Sequence, residues 1–312
     1  MAGIVAVIFA AGLLMRPKPE IHANAMVLGR FGSKGSAPGQ LDSPRGIAAG
    51  PQGDIYVTDL GNARINRYSP EGVFVRSFGK RGDEQGKNGP GEFREPSGVA
   101  VDKEGNVYVA DAWNGRVQKF DAHGKFLTEF SGVRYSFYSP RNVAVDMKGN
   151  IYVADTGNSV VKAYNPAGAL VKEIGGPGKG GGRFKEVFGL AINSKGEIFA
   201  ADPGNQRVHK FSGLPEAKFL KSGKVSGWQE GIPFWPHISI DAQDRLYAVD
   251  NTNRKIWIYD SELNYLGSLS TSQGKELFSS PVGIVARGSE LYVGDKDANK
   301  ITRLGSIVIP AR

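Results

Sequence analysis

The sequence predicts an all-β chain, a six-bladed β-propeller with four antiparallel strands per blade. Two observations predict it. A thirteen-residue phrase occurs six times, at 53–65 (GDIYVTDLGNARI), 105–117, 149–161, 196–208, 244–256 and 289–301. Its aspartates, Asp59, Asp111, Asp155, Asp202, Asp250 and Asp295, are 52, 44, 47, 48 and 45 residues apart. A period in the forties with strand-like contents marks one blade per repeat. The second observation is punctuation. Turn signals recur about every ten residues, and no stretch between the repeats has a long apolar pattern at helical spacing.

Each repeat reads as four elements in order. PSGVAVD (96–102) is a short inner strand whose small residues suit the crowded axis. A turn leads to VYVAD, a second strand rich in β-branched and aromatic residues. After the Asp-x-x-Asn turn comes RVQKFD (116–121), and after Ala122-His123-Gly124 comes the outer strand KFLTEF (125–130). The segment MVLGRFGSKG (26–35) matches the outer strand and exit loop VFVRSFGKRG (73–82) yet precedes the first inner strand. It is expected to complete blade six beside KITRL (300–304), which leaves no open sheet edge. The rival is a hairpin that SIVIP (306–310) forms by itself.

These motifs resemble the NHL repeat. The resemblance covers about residues 26–304 and rests on Pro-x-x-Val/Ile-Ala-Val-Asp, Gly-Asn-Ile/Val-Tyr-Val-Ala-Asp and Asn-x-Arg-Ile/Val. It implies the propeller fold. It leaves function open, because the family includes RNA binders, protein-interaction modules, sensor domains and a few lyases. Departures are local: Val160 replaces the arginine of blades one, two and four, Val187 replaces the opening proline of blade four, and Asn299 is shifted by one position in blade six.

Composition agrees with this reading. Forty-three glycines serve turns and exit loops, and 312 residues suit one ring domain. Cysteine is absent, which excludes a disulfide framework, a thiolate nucleophile and a cysteine metal site. The net charge of +8 points to an acidic partner surface or an anionic ligand.

Residues 1–25 are expected to form a separate apolar segment and link, and residues 26–312 the propeller. AGIVAVIFAAGLLM (2–15) carries no charge, but fourteen residues is short of the ~20 that a span needs. It suits a signal-peptide core or an anchor, with Ala23-Asn24-Ala25 resembling a cleavage site. Arg16 and Lys18 follow the run, which by the positive-inside rule places the propeller in the cytoplasm. The expectation is membrane association with an extracytoplasmic propeller, the cytoplasmic face being the alternative.

The loops joining successive blades share one face with the Asp-x-x-Asn turns. The longest are 79–96, 131–141, 175–188 and 226–237, and they gather basic and aromatic residues. Binding concentrates in such loops. Arg45, Arg141, His237 and Trp235 are expected to converge at the channel mouth, and Trp113, Tyr138 and Trp228 are further candidates for partner or anion binding. The residue after each opening proline gives the ring Arg45, Ser97, Arg141, Phe188, His237 and Val282. One histidine there does not make a zinc site, which needs three protein ligands even when catalytic. The repeated aspartates read as turn acceptors that pair with the next strand's arginine or lysine. No Ser–His–Asp set assembles.

The reading at this level is therefore a non-catalytic interaction or scaffold module, with no metal, cofactor or catalytic residue. It is expected to bind a protein partner, with a membrane complex as one form of this. The alternatives are a channel-mouth lyase or lactonase and a nucleic-acid binder. The last suffers because an exported protein rarely meets RNA.

Overall fold

The computed structural model describes residues 20–83, 88–131, 137–228 and 235–310. Six four-stranded antiparallel sheets form the blades of a ring. Blade two is typical: Pro96–Val101 lies innermost, then Val107–Asp111, Arg116–Phe120 and Phe126–Phe130 outermost. The second strands of blades one to five are buried along their whole length, while outer strands such as Leu170–Gly175 are largely exposed.

One aromatic per blade locks the ring. Tyr56, Tyr108, Tyr152, Phe199, Tyr247 and Tyr292 occupy the same position in the phrase, and all are buried. Each packs in a core cluster shared with the next blade: Tyr56 with Val99 and Val107, Tyr108 with Val143 and Val153, and Tyr292 of blade six with Ile47 and Ile55 of blade one. Burying such a ring stabilises by roughly 1.5–3 kcal/mol. The repeated column therefore fixes blade against blade all the way round.

Blade six closes as expected. Asn24–Phe31 pairs antiparallel with Lys300–Val308, in the order 24–31, 300–308, 290–295, 281–287. The rival hairpin does not form, because Lys300–Val308 runs on as a single strand and carries Ser306–Val308 past the point where a turn would be needed. Residues 20–23 continue the N-terminal latch onto blade five. Ala23 N donates to Ser268 O at 2.7 Å, Ser268 N donates to Ile21 O at 2.8 Å, and Glu20 pairs with Lys255 at 2.7 Å.

The apolar run 2–15, with its membrane expectation, lies outside the described residues. No helix among the described residues is long and apolar enough to cross a membrane.

Candidate functional site at the axial mouth

The repeated aspartates build the face that carries the site. Asp111 is fully buried. Its Oδ1 accepts the backbone N–H groups of Arg94 and Glu95, both at 3.1 Å, and its Oδ2 accepts from Asn114 at 2.7 Å and Arg116 at 3.3 Å. Asp59, Asp155, Asp202 and Asp295 hold the segments entering their own inner strands in the same way. Each carboxylate ties the Asp-x-x-Asn turn to the loop that arrives from the previous blade. The ring of carboxylates is thus a set of structural clamps. Among the described residues no three of His, Cys, Asp and Glu converge to hold a metal ion.

The innermost positions are set by close approach. Ile47, Val99, Val143, Leu190, Ile238 and Ile284 pair with equivalent residues of their second strands. The residues just before them are therefore Gly46, Gly98, Asn142, Gly189, His237 and Gly283. At Gly46 and Gly98 an added Cβ would lie 2.6 Å from backbone atoms of the neighbouring blade, Ser97 O and Asn142 Cα respectively. Only two positions of this ring carry side chains, and they meet: Asn142 Nδ2 and His237 Nδ1 are 2.8 Å apart. Both line a channel of about 200 Å³ walled by the inner strands.

This register corrects the expected ring. His237 is not equivalent to Arg45 and Arg141. Blade five runs from Pro236 to Asp241, one residue shorter than Pro96 to Asp102, so His237 falls at the glycine position. Pro236 then takes the place of Arg45 and Arg141, and Trp235 the place of the opening prolines.

Four of the seven candidate residues come together at the mouth. The Arg45 guanidinium lies 3.8 Å from the Trp235 ring centroid and that of Arg141 5.2 Å from it. Arg141 forms an ion pair with Glu95. Arg45 is 8% exposed; its Nε has no partner, and its guanidinium forms no ion pair with a described residue. Burial pushes Arg45 down to about 10, with Glu95 raising and Arg141 lowering it further, so it stays cationic at neutral pH. Burial, with the adjacent Arg45 charge, also lowers His237 to about 4. A neutral imidazole that accepts the Asn142 amide at Nδ1 carries its proton on Nε2. Glu95 is 9% exposed, and its Oε2 has no partner.

The other three candidates lie elsewhere. Trp228 is buried and donates Nε1–H to Val249 O at 2.8 Å, so it is a core residue under its loop, and its expected role in partner binding is corrected. Tyr138 is 67% exposed and covers Gly157 of its own blade's turn. Trp113 is 64% exposed on the short turn Ala112–Asn114, with the Arg94 guanidinium 5.4 Å from its ring centroid. The loop segments 84–87, 132–136 and 229–234 lie outside the described residues. Glu95 and Asn142 were not singled out from sequence. Asn142 has a legible signal, a polar residue in a column of glycines. Glu95 has none, since its importance comes from the arginines around it.

Comparison with known proteins identifies the repeat. The NHL repeat family profile matches residues 41–68 and 93–120. NHL repeat-containing protein 3 of Homo sapiens is 36% identical over 100 residues, which span 30% of this chain and 27% of that protein. The Caenorhabditis elegans protein described as "Probable peptidyl-alpha-hydroxyglycine alpha-amidating lyase pgal-1" is 31% identical over 119 residues, 36% of this chain and 31% of its own length. The matches thus span about a third or less of these relatives. Among solved structures, virginiamycin B lyase from Staphylococcus aureus superposes with a TM-score of 0.62 at 14% identity, covering 92% of this chain and 100% of its own. A gluconolactonase from Xanthomonas campestris gives 0.64, also at 14%, over 93% and 99%. At this identity the likeness is one of fold. The expectation of a chain that is not an enzyme is corrected by one of these findings: a relative described as a lyase shares sequence with it. With six copies of the phrase, two of them matched by the NHL repeat profile, and a closed ring of six blades, the chain is a six-bladed β-propeller that carries NHL repeats.

Proposed function

We propose that the chain is an enzyme of the lyase or hydrolase class, working at the axial mouth on a substrate that carries an anionic group. One observation carries the reading: Arg45 is a buried, desolvated cation with an unpartnered Nε, 3.8 Å from the Trp235 ring centroid. A guanidinium is costly to bury unpaired, and it is suited to bidentate carboxylate recognition. Arg45, with Arg141 beside it, holds the substrate anion. Glu95 Oε2 is the proton acceptor, taking a proton from a substrate hydroxyl in a lyase or from the attacking water in a hydrolase. His237, kept neutral by burial, offers Nε2–H to substrate oxygen. The sequence shared with a protein described as an amidating lyase supports the same class.

The test is turnover of two anionic substrates, an N-acyl-α-hydroxyglycine and a lactone that bears a free carboxylate. Wild type is expected to convert one of them. Glu95→Gln should lower kcat by about 100-fold, the usual scale of one acid–base group, and Arg45→Met should raise KM. Equal rates for wild type and folded Glu95→Gln would remove Glu95 from the chemistry. No turnover of either substrate would leave the mouth as a binding site alone.

A further inference from the structure

A second cavity opens from the same face between blades one and two. Its volume is about 340 Å³, within the range of small-molecule sites. Leu60, Gly61 and Gly82 form part of its wall, and Arg81, Arg94, Glu95 and Trp113 supply its chemistry. The phrase repeat explains how it is held. Asp111 fixes the backbone of Arg94 and Glu95, and Ala112 N donates to Glu95 O at 3.0 Å, so the turn bearing Trp113 and the segment bearing both side chains form one unit. Arg94 Nε is buried without a partner, and Trp113 stands 64% exposed beside it.

Glu95 belongs to both places. It lines this cavity and pairs with Arg141 at the mouth, and its Oε2 is buried without a partner. A ligand spanning the two must offer three groups: a carboxylate for Arg45 and Arg141, a hydrogen-bond donor for Glu95, and a flat apolar group for the Trp113 wall. An N-acylated aromatic amino acid, which is what an aromatic peptide C-terminus presents, carries all three.

We propose that the cavity between blades one and two is the side-chain subsite of the axial mouth, selecting an aromatic residue of an N-acylated amino acid or peptide C-terminus. The inference rests on the mouth being an anion site, as proposed above. It adds a specificity residue, Trp113, that the chemistry of the mouth does not require.

The four tryptophans supply the test. Each indole N–H gives one signal in a ¹H–¹⁵N spectrum of the full chain. Trp235 reports the mouth and Trp113 the cavity. Trp228 and Trp257, bonded internally to Val249 O and Asp250 Oδ2, are controls for the fold. The probes are N-acetylglycine and N-acetylphenylalanine. Both are expected to shift Trp235, only N-acetylphenylalanine to shift Trp113, and N-acetylphenylalanine to bind about tenfold tighter, the scale of one good aromatic contact. Trp113→Ala should reduce its affinity to that of N-acetylglycine on wild type. An unmoved Trp113 signal with equal affinities overturns the subsite and leaves the mouth standing. An unmoved Trp235 signal with both probes overturns the anion site and the subsite with it.

Discussion

Asn142 and His237 are the only side chains on a ring position otherwise given to glycine, and they line the channel, joined by a mutual hydrogen bond. The sequence shows that His237 follows a proline, but strand pairing decides which column it joins. A one-residue shortening of blade five moved it inward, and spacing alone does not reveal that. The displacement has a measurable consequence. His237 is lowered from 6.5 to about 4 by burial and by Arg45. Between these values the unfolded chain binds a proton that the folded one refuses, so stability is full above about pH 6.5 and falls as pH drops towards 4. The loss amounts to about 3 kcal/mol. Urea unfolding at pH 7.5 and pH 4.5 should show His237→Gln losing less stability on acidification than wild type, by about 2–3 kcal/mol. Equal losses in the two proteins would mean that His237 is not held neutral.

At the scale of the element, the strands and their Asp-x-x-Asn turns were legible because a period of two, turn residues and a sixfold copy all agree. What the clamp aspartates grip was less legible: their acceptors reach back 16 or 17 residues to the loop from the previous blade. Such a partner is fixed by the closed ring and not by local sequence. Asp111→Ala would strand two backbone N–H groups and the buried Arg116, and loss of one partner of a buried pair costs about 3–5 kcal/mol. Part of that is recovered because Arg116 also pairs with Glu129 at 2.8 Å. The expected cost is about 3 kcal/mol in chemical denaturation, with probe binding at the mouth weakened because Glu95 loses its anchor. Asp260→Ala is the control. Asp260 closes an exposed turn through Glu262 N at 2.9 Å and Asn264 N at 2.8 Å. Its loss should cost about 1 kcal/mol or less and leave probe binding intact. Similar costs at the two sites would reduce the clamp to ordinary turn chemistry.

At the scale of the molecule, the ring is held by two kinds of contact: the aromatic column between blades, and a latch that joins the first described residues to the last strands. The match of MVLGRFG to VFVRSFG revealed the part of the latch that is a strand. The stretch just before it copies no part of the repeat, so nothing in the sequence marked residues 20–23 as bound to blade five. The two parts should contribute unequally. Compared with a chain starting at Glu20, one starting at Asn24 loses the Lys255 ion pair and the backbone bonds to Ser268, but keeps blade six whole. Two or three half-exposed bonds are worth about 2 kcal/mol, which lowers Tm by about 5 °C in a domain of this size. A chain starting at Ser33 loses the whole strand Asn24–Phe31 and exposes the ladder edge of Lys300–Val308, together with the Phe31–Tyr68 ring contact, whose centroids are 4.9 Å apart. An unpaired edge of nine residues invites association with other chains. That chain should melt at least 15 °C lower and aggregate on heating, as followed by circular dichroism with light scattering. If both truncations melt together, the strand adds nothing beyond its short N-terminal extension, and the ring would have to be closed by its aromatic column alone.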